Sequence, residues 1–262
     1  MRKHFWWISC VFLMFFITVI GWTPVSAKKS AISYNAAPTA KELFTQYVNT
    51  VYQTAKLQEA GLDMEVFQKA LTGFFNLKTA NKLAQNSSVI TVVDFSKSSR
   101  QKRMWIIDLF SKQLLLNTWV AHGQGSGDDM ADRFSDNNES HQSSLGFYLA
   151  DDVYVGKHGR SLRLDGLDEG FNANARARGI VVHAASYVGE STIAQMGRLG
   201  RSFGCPAVSP AVAQQVINTI KGKTLLFING NNPHYTSKYL DENVYASFTS
   251  QDETAVTDSV KL

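Results

Sequence analysis

Val89-Ile90-Thr91-Val92-Val93-Asp94-Phe95 is the stretch where the hydrophobic pattern changes period. Val, Ile and Thr make up all but its last two positions, and these β-branched side chains fit a pleated strand better than a helix, where they lose χ1 freedom. Arg103–Phe110 and Leu114–His122 are runs of the same kind, and Ser111-Lys112 between them is spaced like a tight hairpin. Leu145–Tyr148, Val153–Val155, Gly179–His183 and Thr224–Asn229 read as further strands. One helix interrupts them: Ser209 is a good N-cap, Pro210 a good first residue, and Val212, Val216 and Ile220 form its apolar stripe. Many strands and few helices predict a mainly β fold, a curved, β-sandwich-like domain with helices on its rim.

Upstream of Val89 the period is helical. Thr39 can cap a helix running to about Leu57, with Leu43, Tyr47 and Val51 on one face. Gly61-Leu62-Asp63 breaks it, and a second helix near Met64–Leu77 carries Phe67, Leu71 and Phe74 as a stripe. The stripes read as the core of a small helical N-terminal segment packed on the β domain; the alternative is a partner-binding or membrane-associated pair. Downstream of Thr236 the chain is polar and aperiodic, the composition of a loose tail.

The first 27 residues have the layout of a secretory signal peptide. Met1-Arg2-Lys3-His4 is basic, Phe5–Trp22 is an uncharged apolar run, and Val25-Ser26-Ala27 offers small residues for cleavage. A run of that length can also just span a bilayer, but Pro24 and the small-residue exit favour cleavage. Cys10 lies within the apolar run rather than after it, which argues against a lipidated cysteine. The expected organisation is therefore a signal at 1–27, a helical segment at 28–87, the β domain at 88–235 and a tail at 236–262. The expected location is the periplasm or cell envelope, with no stable membrane span once the signal is removed.

The 262 residues are 44% hydrophobic and 18% charged, which excludes a disordered or collagen-like chain. No 20- to 50-residue period repeats, which argues against a solenoid or propeller. The formal net charge of +4 loses Arg2 and Lys3 with the signal and becomes +2. No basic run interleaves with aromatics, so nucleic acid is not an expected partner. Removing the signal also removes Cys10, leaving Cys205 as the one cysteine of an exported protein.

Cys205 lies in Gly200-Arg201-Ser202-Phe203-Gly204-Cys205-Pro206-Ala207. A free cysteine is ordinarily a small buried hydrophobe. Here the compartment is oxidising, where an unpaired thiol calls for a use. Its neighbours belong to a turn, and the preceding glycine lets backbone N–H groups approach a substrate. A thiol nucleophile needs a base or cation beside it. His122 and His183 both end apolar runs, and position alone does not choose between them. The histidine and cysteine spacings fit no zinc site, so neither a metal nor another cofactor is expected. Gly123–Ser144 and Gly156–Arg178 read as long loops. The acids of the first lack calcium-loop spacing and no phosphate-loop lysine follows its glycines, so it reads as a solvated functional loop beside a substrate groove.

His183-Ala184-Ala185-Ser186-Tyr187 followed by Gly200–Ala207 resembles the catalytic signature of the YkuD-like L,D-transpeptidases: a His, a spacer, then Ser/Thr-His-Gly-Cys. It resembles more closely the murein L,D-transpeptidase subgroup with Gly-Arg-Ser-aromatic-Gly-Cys-Pro-Ala. Ser143-Ser144-Leu145-Gly146-Phe147-Tyr148 and Gly156-Lys157-His158-Gly159-Arg160-Ser161-Leu162 are similar to its upstream segments, so the likeness spans about Val89 to Asn229.

The resemblance implies Cys205 as nucleophile and His183 as its general base. Ser202 and Gly204 would shape the turn, with backbone N–H groups around Gly204 and Cys205 as oxyanion hole. The implied substrate is a peptidoglycan stem tetrapeptide ending in diaminopimelate-D-Ala. D-Ala would leave on forming a Cys205 thioester, and an amine would then take the acyl group. Phe203 stands where the main signature has His, and Pro206-Ala207 replaces the polar run that often follows the Cys. A substrate carboxylate then falls to another group, Arg201 first and Arg198 or Arg176 behind it. Water as acceptor would make the enzyme a carboxypeptidase. Competing readings are a papain-like cell-wall endopeptidase, in which Cys usually precedes His, and a non-catalytic peptidoglycan-binding protein.

Overall fold

The computed structural model describes residues 37–242. The expected signal at 1–27 and the last part of the expected tail, 243–262, lie outside the described residues. Helix α1 (Ala40–Thr54) opens on a capping box: Thr39 Oγ1 accepts the Glu42 N–H while the Glu42 carboxylate accepts the Thr39 N–H. Helix α2 (Met64–Thr79) is capped by Asp63, which accepts the Glu65 N–H at 2.8 Å. Their stripes, led by Phe44, Tyr47, Phe67, Leu71 and Phe74, share one core with Ile90, Val92, Trp105, Leu225 and Phe227 of the sheet. The Trp105 indole donates to the Ala60 carbonyl at 2.9 Å, tying the inter-helix turn to that sheet. Gly73 permits the close approach, since a Cβ there would fall 2.1 Å from the Phe147 ring.

The strands are β1 (Val89–Asp94), β2 (Met104–Asp108), β3 (Gln113–Thr118), β4 (Val120–Ala121), β5 (Gly146–Gly156), β6 (Gly159–Gly166), β7 (Val181–Ala184), β8 (Ala207–Val208) and β9 (Thr224–Asn229). Helix α3 (Glu190–Met196) lies between β7 and β8, and α4 (Pro210–Ile220) between β8 and β9. The strands form one mixed sheet in the order β3-β2-β1-β9-β5-β6-β7-β8-β4. Edge strands β3 and β4 stand at opposite ends of that order, yet only Trp119 separates them in the chain. Successive Cα atoms are about 3.8 Å apart, so the two edges must meet and the sheet curls into a barrel-like wall. Val93, Met104, Ile106, Tyr148, Leu162, Leu164 and Leu226 fill its inside together with Val216 and Ile220 of α4. The fold is mainly β with helices at its rim, and α1 and α2 pack on its outer face.

Several local expectations change. Helix α1 stops short of Leu57 because Lys56 adopts a left-handed φ of 52°. The β2–β3 connection is Leu109–Lys112 rather than a two-residue turn; Asp108 caps the Phe110 and Ser111 N–H groups and Lys112 has φ 54°. Leu145–Tyr148 and Val153–Val155 belong largely to one strand, β5, whose register shifts between Ala150 and Val153. Gly156–Arg178 is not one loop, since it contains β6. Its signal was the alternation around Leu162 and Leu164, which point into the core while Arg163 lies over Tyr154 outside. The beginning of the tail is anchored: Tyr239 is buried against Phe147, and the Asn76 amide donates to its carbonyl. Among the described residues no helix is long and apolar enough to cross a membrane.

Candidate active site

Strands β7 and β8 run parallel with His183 opposite Ala207, so Cys205 sits two residues before the partner of His183. Both side chains line a cavity of about 500 Å³, which also takes in Tyr154, Lys157, His158, Arg178, Tyr187, Arg201, Ser202 and Phe203. The topology thus joins two residues that the sequence separates by a short helix and two loops.

The turn bearing Cys205 is closed by Ser202, whose Oγ accepts the Gly204 N–H at 3.1 Å and donates to the Cys205 carbonyl at 2.6 Å. Gly204 has φ +118°, and a Cβ there would meet the Gln142 carbonyl at 2.8 Å. This position therefore requires glycine on both counts. Because Ser202 already holds the Gly204 N–H, Gly204 supplies the bend rather than an oxyanion donor. Among the described residues nothing accepts the Cys205 N–H, which makes it the donor available to an oxyanion. The thiol itself is positioned by the start of β7: Val181 N–H points to Sγ at 3.4 Å, and Sγ lies 3.7 Å from the Gly179 carbonyl.

His183 is buried, with Nδ1 2.9 Å from the Ala184 carbonyl. A carbonyl can only accept, so Nδ1 carries the proton and Nε2 is the basic nitrogen. The His158 ring stacks on His183 at 4.3 Å between centroids. Burial holds the imidazole below its ordinary value, opposed by the Ala184 bond and reinforced by the charges of His158 and Lys157. Burial pushes the Cys205 thiol up, opposed by the Val181 N–H and the charges of Arg178 and Lys157. Both shifts favour a resting pair of neutral thiol and neutral imidazole.

His122, the other strand-end histidine, has a structural place. Its Nδ1 lies 2.7 Å from Nη2 of the buried Arg103, which can only donate, and its Nε2 lies 3.4 Å from the Gly127 carbonyl. Burial, with the Arg103 charge, lowers it to about 4. The unfolded chain, with His122 near 6.5, takes up a proton that the folded state refuses. Its stabilising contribution is complete above about pH 6.5 and is lost as pH falls toward 4, a loss on the order of 3 kcal/mol. The urea midpoint of the parent chain is therefore expected to drop more steeply from pH 7 to pH 5 than that of His122→Gln; equal slopes would remove His122 from the account.

The arginines separate by location. Arg176 pairs with Asp151 and Asp165 and does not line the cavity. Arg198 donates to the Leu199 carbonyl and faces Asp128 at 3.8 Å. Arg201 does line the cavity, and its Nη1 donates to Asp128 at 2.7 Å and to the Gly127 carbonyl at 2.8 Å. Arg178, which the sequence reading passed over, is almost wholly buried behind the Cys205 turn. It donates to the carbonyls of Ser135 and Gln142 and to Ser140 and Ser144, with Asp136 at 3.8 Å. No local motif marks it, because its partners come from a loop more than thirty residues upstream.

That loop, Gly123–Ser144, does not line the cavity but braces what does. Ser126 Oγ accepts the Ser143 N–H, and Ser143 Oγ lies 3.3 Å from the Gly204 carbonyl it donates to. His141 stacks on the exposed Phe203 at 4.4 Å. Its acids serve the chain: Asp129 accepts from Ser98 and Ser99, and Asp136 from the Asn174 N–H. Among the described residues no group of three or more His, Cys, Asp or Glu could hold a metal ion.

No curated protein matches the sequence. An L,D-transpeptidase from Mycobacterium smegmatis is similar at 13% identity and TM-score 0.33, over 54% of this chain and 58% of that one. An L,D-transpeptidase from Stackebrandtia nassauensis is similar at 14% identity and TM-score 0.33, over 72% of this chain and 78% of that one. The chain thus spans little more than half of the first of these structures. The family model described as the L,D-transpeptidase catalytic domain matches residues 58–229, from the turn before α2 to the end of β9. On that match the chain belongs to the L,D-transpeptidase catalytic domain family.

Proposed function

We propose that the protein is an exported cysteine L,D-transpeptidase acting on peptidoglycan stem peptides. The observation that carries this reading is the placement of Cys205 and His183 in one cavity, with Nε2 of His183 left as the base. Sγ attacks the diaminopimelate carbonyl while its proton passes to His183 Nε2. The tetrahedral oxyanion is met by the Cys205 N–H. The carbon–nitrogen bond then breaks, His183 returns the proton to the departing nitrogen, and D-Ala leaves a Cys205 thioester. An amine of a second stem attacks that thioester, a new amide forms, and the thiol recovers its proton through His183. Ser202 and Gly204 hold the turn, and Arg201 contacts the bound peptide from the cavity wall. The basic start and apolar run of residues 1–27 support export to the periplasm or cell envelope.

Incubation of the purified chain with a tetrapeptide-bearing muropeptide is expected to release D-Ala, with mass spectrometry showing a Cys205-linked acyl intermediate. A cross-linked product supports transfer to an amine, and a tripeptide alone supports hydrolysis by water. Internal cleavage of the stem would point to an endopeptidase, and bound but unchanged muropeptide to a non-catalytic binder. Because the base must be neutral, kcat/KM is expected to rise through an apparent pKa below the ordinary imidazole value and stay flat through neutral pH. A profile rising only above pH 8 would instead indicate that a preformed thiolate is required.

A further inference from the structure

The cavity around Cys205 is lined by three full cations, Lys157, Arg178 and Arg201, and by no carboxylate. Two of the three are already engaged. All four Nη hydrogens of Arg178 go to protein oxygens, and Asp136 stands beside it. Arg201 is ion-paired to Asp128. Lys157 sits at the β5–β6 hairpin tip, and among the described residues nothing pairs with its ammonium. Its charge nevertheless acts on both Cys205 and His183. Its chain neighbour His158 stacks on the His183 ring, which fixes the tip over the base.

We propose that Lys157 holds the free α-carboxylate of the amino acid displaced from the acyl donor. This rests on the transpeptidase reading above and names the residue that recognises the leaving portion of the substrate. The departing nitrogen must reach His183 to be protonated, and the α-carboxylate is attached to the carbon next to that nitrogen. The anion is thereby carried to the side of the cavity where the hairpin tip lies. A flexible ammonium with three donors and no internal partner suits a carboxylate that arrives and leaves each turnover.

The test pairs two probes. Alkylation of Cys205 is measured with anionic iodoacetate and neutral iodoacetamide; both attack the same thiolate, so their rate ratio reads only the attraction for a carboxylate. Lys157→Met is expected to lower that ratio about fivefold, Lys157→Arg to keep it, and Arg201→Met to leave it nearly unchanged. In turnover, Lys157→Met is expected to raise KM for a stem peptide with a free terminal carboxylate and to leave the carboxamide analogue unaffected. A ratio unchanged in Lys157→Met, or lowered equally in Arg201→Met, overturns the assignment. A parent enzyme that releases no terminal residue sinks the transpeptidase reading instead, while the alkylation ratio still decides whether Lys157 receives an anion.

Discussion

Cys205→Ala is expected to abolish release of D-Ala, a loss of at least about a thousandfold in kcat, because Cys205 is the only thiol lining the cavity and the Ser202 hydroxyl is tied to the Cys205 carbonyl. The side chain is small and only half-buried, so thermal stability should hardly change. Cys205→Ser tests the same point more strictly. It keeps an oxygen nucleophile near the Val181 N–H and His183, but a hydroxyl is far harder to deprotonate than a thiol, and acylation should still fall by several orders of magnitude. Turnover by Cys205→Ala at the parent rate would remove the cysteine from the mechanism, whatever the fate of the family assignment.

Arg178→Met carries the second large effect, and it is one of stability first. The guanidinium is buried and ties four donors to the loop behind the Cys205 turn. Deleting it strands the Gln142 carbonyl, leaves the Ser135 carbonyl to the Ser144 hydroxyl alone and leaves Asp136 buried beside no cation. Breaking such a buried charged network costs about 3–5 kcal/mol, read as a shifted urea midpoint. The Gln142 carbonyl also fixes the space beside Gly204, so alkylation of Cys205 should slow at every pH in a variant that still folds. Arg178→Lys keeps the charge near the thiol while losing most of the bracing. It is expected to recover part of the reactivity and less of the stability. Parent-like unfolding in Arg178→Met would show that the loop is held by its serine contacts alone.

Much of the fold was legible because its signals are local. Thr39, Asp63 and Ser209 cap helices where their side chains can reach nearby N–H groups. Val89–Asp94 and Thr224–Asn229 become strands whose interior positions are buried on both faces, which is why they read as continuous apolar runs. The errors arise where local pattern gives way to pairing. β6 reads as loop in the sequence because its Arg, Ser and Gly are ordinary loop residues, and only pairing with β5 and β7 makes them strand. Leu114–His122 looked like one run, but Trp119 divides it between the two edges of a curled sheet.

For the site, the sequence by itself determined the candidate thiol and the glycine before it, since these depend on residue type and turn chemistry. It left His122 and His183 equal as strand ends. The family resemblance pointed to His183, and the tertiary structure separates the two physically by placing Arg103 against His122 and the cavity against His183. It likewise turned Arg176 outward, set Arg178 behind the nucleophile and brought Lys157 to the rim with no ion-pair partner among the described residues. The physical reason is that a side chain's charge acts according to what neutralises it, and whether these arginines and this lysine meet a counter-charge is decided by contacts between segments far apart in the chain.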